Sequence, residues 1–206
     1  MTIGDLLTLK RVSWAWYAGV PRFEYHHHPF NYFVQFAPGT PARTAHLKDG
    51  GMNGAEFIRA VDEGRLPQVT FYKPQGNLSE HPGYLDVLSG DQHIADVVAH
   101  LQKGPQWAHL LVIVTYDENG GFWDHVAPPT ADRWGPGSRI PALIVSPVAK
   151  QGFVDHTFYD TTSILRFITK RFTLPALAGL QARDAALAAH GNPPPGDLTA
   201  ALGLSR

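Results

Sequence analysis

Residues 110–118 constrain this chain more than any other stretch: Leu-Leu-Val-Ile-Val-Thr-Tyr, followed at once by Asp117 and Glu118. Leu110 to Tyr116 is an apolar, β-branched run whose length suits a strand covered on both faces, as in a parallel sheet. It stops at two adjacent carboxylates, and Asn119, Gly120 and Gly121 come next. In open α/β sheets, ligands bind just beyond the carboxyl ends of strands. Two neighbouring anions against a low-dielectric sheet repel each other and call for a compensating cation. A divalent metal is the simplest choice, because hard cations prefer carboxylate oxygen. The plainer alternative is a turn in which Asp117 and Asn119 accept from backbone amides.

The rest of the composition narrows the class. The 206 residues suffice for one sizeable domain with its own core. Hydrophobic residues make up 44% and charged ones 17%, with 20 Gly and 17 Pro, which describes a loop-rich globular chain rather than a disordered one. The formal net charge of -1 and the lack of a Lys/Arg cluster give a nucleic-acid partner no electrostatic footprint. No apolar run approaches the ~20 residues of a transmembrane helix. The first residues, Met-Thr-Ile-Gly-Asp-Leu-Leu, lack the basic-then-apolar pattern of a signal peptide. With no cysteine, disulfides, thiolate metal sites and a Cys nucleophile are excluded.

Strand and helix patterns alternate along the chain. Thr2 or Asp5 opens a short helix with Ile3, Leu6 and Leu7, and Ser13–Ala18 reads as a strand. Arg22–Phe36 is aromatic and carries His26, His27 and His28; Pro29 pushes the triplet toward an extended loop. Asn53 and Glu56 have capping-box spacing for a helix ending at Gly64. Leu66–Tyr72 is the next strand, and residues 73–90 form a long irregular loop. A helix capped by Asp91 carries Ile94, Val97, Val98 and Leu101 and ends at Gly104. After the central strand come a Gly/Pro/Trp loop over 127–139, a strand over Ile140–Ser146, and helices over Thr162–Phe172 and Ala182–Ala189. Residues 192–206 read as a flexible tail. This order predicts an α/β fold with a mostly parallel sheet in a single domain spanning 1–206.

Long loops after successive strands gather on one sheet edge, and three of them carry histidine: His26/His27/His28, His81 and His125. Imidazoles titrate near neutral pH and donate to phosphate oxygens, so their convergence on Asp117 and Glu118 would make a hydrolytic site. Each also has a duller reading. The His run can be solvated surface, His81 before Pro82-Gly83 can bond a backbone carbonyl in a turn, and His125 can pair with Asp124 at the surface. Asp155/His156 is a supporting candidate behind the site. His46, His93, His100, His109 and His190 sit in or beside predicted helices and strands and are read as structural. Phe122, Trp123, Trp134 and Tyr84 can line a pocket or pack a core. No Gly-x-Ser-x-Gly, Gly-x-Gly-x-x-Gly or phosphate-loop motif is present. Spacing alone thus points to a metal-dependent hydrolase.

Longer strings add a resemblance. Thr115-Tyr-Asp-Glu-Asn-Gly-Gly-Phe-Trp-Asp-His-Val-Ala-Pro-Pro129, Arg133-Trp-Gly-Pro-Gly137 and Arg139-Ile-Pro-Ala-Leu-Ile-Val-Ser-Pro147 resemble the phosphoesterase family of bacterial phospholipase C and AcpA-type acid phosphatase. So do Tyr25-His-His-His-Pro-Phe30, Glu80-His-Pro-Gly-Tyr84 and Tyr159-Asp-Thr-Thr-Ser-Ile-Leu-Arg166. The resemblance implies an alkaline-phosphatase-like α/β core and hydrolysis of phosphoric esters, phospholipid among them. It makes Asp117 and Glu118 ligands of a divalent metal ion of open identity. It places His26 and His27 around the transferring phosphoryl group and His81 near the leaving group. It also implies export, which nothing at this amino terminus supports.

The same resemblance implies a departure. Family members carry an amino-terminal half with a Glu-Asn metal pair and a Ser or Thr nucleophile, and no Glu-Asn-x-Ser-Phe-Asp-like string occurs here. The chain is therefore expected to be a carboxyl-terminal portion, an incomplete version of the fold that holds part of the site and no nucleophile. The alternative is a non-catalytic remnant that binds phosphate or a partner through the old pocket.

Overall fold

The computed structural model describes residues 1–19, 25–83 and 86–204. In chain order its elements are α1 (Ile3–Leu9), β1 (Trp14–Ala18), α2 (Pro41–His46), β2 (Leu47–Asp49), α3 (Ala55–Asp62), β3 (Val69–Lys73), α4 (Val87–Lys103), β4 (Val112–Thr115), β5 (Ala142–Val145), α5 (Thr162–Arg171) and α6 (Ala178–Ala189), joined by short 3-10 turns and loops. The chain divides into two compact units, Val12–Ala108 and Met1–Arg11 with His109–Arg206.

The first unit is an α/β layer built on β1. Its sheet has the order β2-β1-β3 and is parallel throughout, with Trp16 opposite Leu47 on one side and opposite Phe71 on the other. Side chains alternate across a strand, so Trp14 and Trp16 share one face and Tyr17 takes the other. Trp14 meets Phe30 at 4.9 Å and Phe36 at 5.8 Å and lies flat on the His46 ring at 4.1 Å; Trp16 stacks on Phe71 at 5.1 Å. On the opposite face Tyr17 meets Phe57 at 5.5 Å, and Phe57 stacks on Tyr72 at 4.1 Å. Both faces are thus closed by aromatic rings, by the loop 29–36 and α2 on one and α3 on the other. Rings in tilted and offset contact gain about 0.5–1.5 kcal/mol per pair beyond burial.

Local sequence explains most of the elements. Thr2 caps α1 by a capping box with Asp5, whose carboxylate accepts from the Thr2 amide at 2.6 Å, and Leu6 and Leu7 are buried below it. Asn53 does not cap α3. It adopts φ 54, and the left-handed Gly54 (φ 80) takes the N-cap position without a side-chain bond. The helix α4 starts at Asp86, not Asp91: the Asp86 carboxylate accepts from the Ser89 amide at 2.7 Å.

The second unit departs from the sequence expectation at its central strand. The run Leu110–Tyr116 yields the four-residue β4, which pairs antiparallel with β5 (Val112 opposite Val145, Thr115 opposite Ala142), not parallel within one continuous sheet. Residues 116–141 contain no crossover helix, and a return without one lays a strand antiparallel beside its predecessor. Nor is the strand covered on both faces. All four residues of β4 are half-buried and Leu143 of β5 is 60% exposed, because the ladder among the described residues has only these two strands. Below it, α5 and α6 are joined by a two-pronged Arg166–Asp184 pair at 2.7 and 3.0 Å. The stretch read as a flexible tail meets the structure as a packed segment: Leu198, Ala201 and Leu202 are buried, Lys150 donates its amide to Ala201 at 2.9 Å, and Gly203 donates to Val148 at 2.8 Å.

Phe36 is 2% exposed and wedged between Trp14 and Phe30. Phe36→Ala is expected to destabilise the aromatic unit by about 3–5 kcal/mol, read as a lowered urea midpoint by tryptophan fluorescence.

Candidate functional site

The carboxylate pair stands directly after the strand, with only Tyr116 between it and the last rung of β4. The Glu118 carboxylate accepts from the Gly120 amide at 2.8 Å, and the Asn119 side-chain oxygen accepts from the Gly121 amide at 3.1 Å. Gly120 and Gly121 both have positive φ (61 and 81), a conformation that a side chain would strain. The turn that carries the acids is therefore set by backbone as much as by side chain. Thr115 donates to the Pro141 carbonyl at 3.0 Å, and Asn119 donates to Ser138 at 3.3 Å, so the two legs of the loop are held together on either side of the acids.

The imidazoles lie in the other compact unit. Tyr25–His27 forms a 3-10 turn rather than an extended loop; the extended residue is His28 (φ -108, ψ 90), directly before Pro29. The His26 and His27 rings meet edge to face at 4.3 Å, His26 exposed and His27 half-buried. His81 is exposed, and its Nδ1 lies 2.8 Å from the Pro82 carbonyl. A carbonyl only accepts, so Nδ1 carries the hydrogen and Nε2 is the acceptor nitrogen of the ring.

His28 is the residue that sequence reasoning undervalued. It is 2% exposed, and its Nδ1 has no hydrogen-bond partner among the described residues. Burial chiefly, with the positive charge of Arg43 and the neighbouring His27, lowers its pKa from 6.5 to about 4, against a small opposite pull from Asp49. The ring is therefore neutral at neutral pH. The flanking Pro29 and Phe30 were its only sequence signal for burial.

Asp124 and Arg139 were also missed as partners. Asp124 was read against His125, which lies 3.7 Å away and is largely exposed. Its stronger partner is Arg139, with Nε to Oδ2 and Nη2 to Oδ1 both at 2.8 Å. That guanidinium bond, helped by the Val126 amide, holds the Asp124 carboxyl far below the usual carboxylate range. Asp155 accepts from the Tyr159 hydroxyl at 2.6 Å and the Thr157 amide at 2.9 Å. Burial raises its pKa, but these bonds and the Lys150 charge outweigh it, while burial and Asp155 push Tyr159 up to about 12. His156 is exposed and makes no part of this pair.

Phe122, Trp123 and Trp134, expected to line a pocket, are exposed, with Trp123 at 85%; Tyr84 lies outside the described residues. A cavity of about 820 Å³ opens between α3 and α4, lined by Asn53, Ile58, Gln92, His93, His100 and Lys103 among others, and none of His26, His27 or His81 lines it. Its His93 accepts or donates at 2.7 Å to the Tyr72 hydroxyl and is held neutral mainly by burial.

A phosphoesterase family model matches residues 1–175, a span that includes all five predicted site residues. The chain belongs to the phosphoesterase family. The non-hemolytic phospholipase C of Burkholderia pseudomallei is 32% identical to this phosphoesterase over 195 residues, 78% of this chain and 28% of that protein. Phospholipase C B of Mycobacterium tuberculosis is 34% identical over 145 residues, 58% of this chain and 28% of its own length. Non-specific phospholipase C6 of Arabidopsis thaliana is 30% identical over 151 residues, again 58% of this chain and 29% of the relative. The phosphoesterase chain thus spans little more than a quarter of the curated relatives it matches.

A buried neutral His28 takes up its proton more readily unfolded than folded. Its contribution to stability is full above pH 6.5 and is lost as pH falls toward 4. Between pH 7 and 4.5 the wild-type chain is expected to lose about 2–3 kcal/mol more in urea unfolding than His28→Gln does. Equal losses would contradict this.

Proposed function

We propose that this chain holds the carboxylate-and-imidazole part of a phosphoric ester hydrolase of the phospholipase C or acid phosphatase type. The observation that carries the reading is Asp117-Glu118, set directly beyond β4 and inside the family match. A cluster of hydrogen-bond donors and titratable groups is what phosphoryl transfer requires of a protein, since charge spreads over the equatorial oxygens in the transition state. His26 and His27 are proposed to donate to those oxygens. His81, with Nδ1 tied to Pro82, is proposed to hold or release at Nε2 the proton that the leaving group needs.

The acids suit a hard divalent cation in donor type. They do not suit it in number: among the described residues no group of three His, Asp or Glu comes together to hold a metal. The pair is then a partial shell, which binds weakly alone. The half-exposed β4–β5 ladder, with Leu143 open, is what an alkaline-phosphatase-like sheet shows when further strands are not beside it. The two units are accordingly read as the carboxyl-terminal portion of one phosphoesterase domain, and the nucleophile as coming from another segment. The substrate is proposed to be a phosphate ester, with phospholipid favoured by the names of the relatives.

Calorimetric titration of the full chain with Mn²⁺ tests this reading. Heat is expected for the wild type and not for Asp117→Ala; a heat unchanged by the substitution removes the acids as cation ligands. In the same samples p-nitrophenyl phosphate is expected to turn over at no more than a few times the buffer rate. Fast turnover abolished by Asp117→Ala would show instead that the chain is complete as an enzyme.

A further inference from the structure

We propose that Asp124 and Arg139 are positioning residues: their ion pair ties together the outer legs of the loop that carries Asp117 and Glu118 and fixes where those carboxylates stand. This inference rests on the reading of the two acids given above. The loop leaves β4 and re-enters at β5, and three side-chain links tie its legs in sequence. Thr115 bonds the Pro141 carbonyl, Asn119 bonds Ser138, and Asp124 bonds Arg139. Asp117 and Glu118 lie between the first link and the second, and the third is the only charged one of the three.

Asp124 is not an ordinary surface partner. Its carboxylate accepts four bonds: from the Val126 amide at 3.0 Å, from the Arg139 amide at 3.1 Å, and from Nε and Nη2 of Arg139. Only the carboxylate is enclosed: the Asp124 side chain is 11% exposed and that of Arg139 61%. Solvated ion pairs rarely fix a backbone, because long side chains hold one geometry at an entropic cost. Here two of the donors are main-chain amides, one on each leg, so the carboxylate locks backbone to backbone. The fork geometry of the guanidinium supplies direction as well as charge. Neither residue touches the phosphoryl group in this proposal; they act through the acids.

Asp124→Asn keeps the shape and removes the charge; Arg139→Lys keeps the charge and removes the fork. Both are made in the full chain and compared for chymotryptic cleavage after the exposed Phe122 and Trp123, for Mn²⁺ affinity and for thermal midpoint. In Asp124→Asn, cleavage at 122–123 is expected to rise about fivefold or more relative to sites in residues 12–108, with the midpoint shifted by only a few degrees. The Mn²⁺ dissociation constant is expected to rise about tenfold. Arg139→Lys is expected to fall between wild type and Asp124→Asn in both readouts. Unchanged cleavage at 122–123 in both variants overturns the proposal. So does equal acceleration at sites throughout the chain, which would make the pair a general support of the fold. If the wild type binds no Mn²⁺, the cation reading of Asp117 and Glu118 fails, and the cleavage ratio alone decides for or against the clasp.

Discussion

Thr115 faces Ala142 on the last rung of the β4–β5 ladder, and two residues later the chain must place two carboxylates side by side. That juxtaposition costs electrostatic energy wherever water is partly excluded, and everything around it in the structure reduces the cost or directs it. The Gly120 amide bonds Glu118, two glycines in left-handed backbone turn the chain sharply, and Asn119 spans the loop to Ser138. Farther out, Asp124 takes a full positive charge from Arg139. The loop thus uses its own backbone and side-chain donors to shape the turn that carries the acids. In the proposed reading such acids would hold positive charge near a phosphoryl group, with further ligands supplied from elsewhere.

The other unit solves a different problem. Its three parallel strands are short, and a parallel sheet is stable only when both faces are buried. Aromatic rings close both sides with few residues: Trp14, Trp16, Phe30, Phe36 and Phe71 on one, Tyr17, Phe57 and Tyr72 on the other. The same packing buries His28 beside His26 and His27. His28 is thus enclosed and neutral, while His26 is exposed and His27 half-buried. The division of labour within three consecutive histidines follows from Pro29, which sets the third apart in an extended conformation.

How much of this the sequence shows depends on the range of the interaction. Thr2 and Asp5 are three residues apart, and their capping box is visible at once. The run at 110–116 shows a strand, because strand chemistry is local. Its pairing is not visible, because the same apolar residues serve a buried parallel strand or a half-open antiparallel one. Asp91 looked like a helix cap as good as Asp86; only the bond to Ser89 separates them. His81 shows its turn in the Pro-Gly that follows, and the Pro82 contact agrees with the plainer reading without removing Nε2 from proton transfer. The Asp124–Arg139 pair spans fifteen residues of loop, with His125 a nearer partner, so pattern reading finds the His125 contact and misses the stronger one. The proposed site residues come from long strings that resemble the family's, not from spacing that defines their geometry.

The most direct measurement is paramagnetic broadening of backbone amide resonances in the full chain on addition of Mn²⁺, a probe that registers even weak binding. If Asp117 and Glu118 hold a cation, Mn²⁺ is predicted to broaden the Gly120 and Gly121 amides first and to lose this selectivity in Asp117→Ala. Broadening that ignores those two amides, or that persists unchanged without the Asp117 carboxylate, would contradict the account.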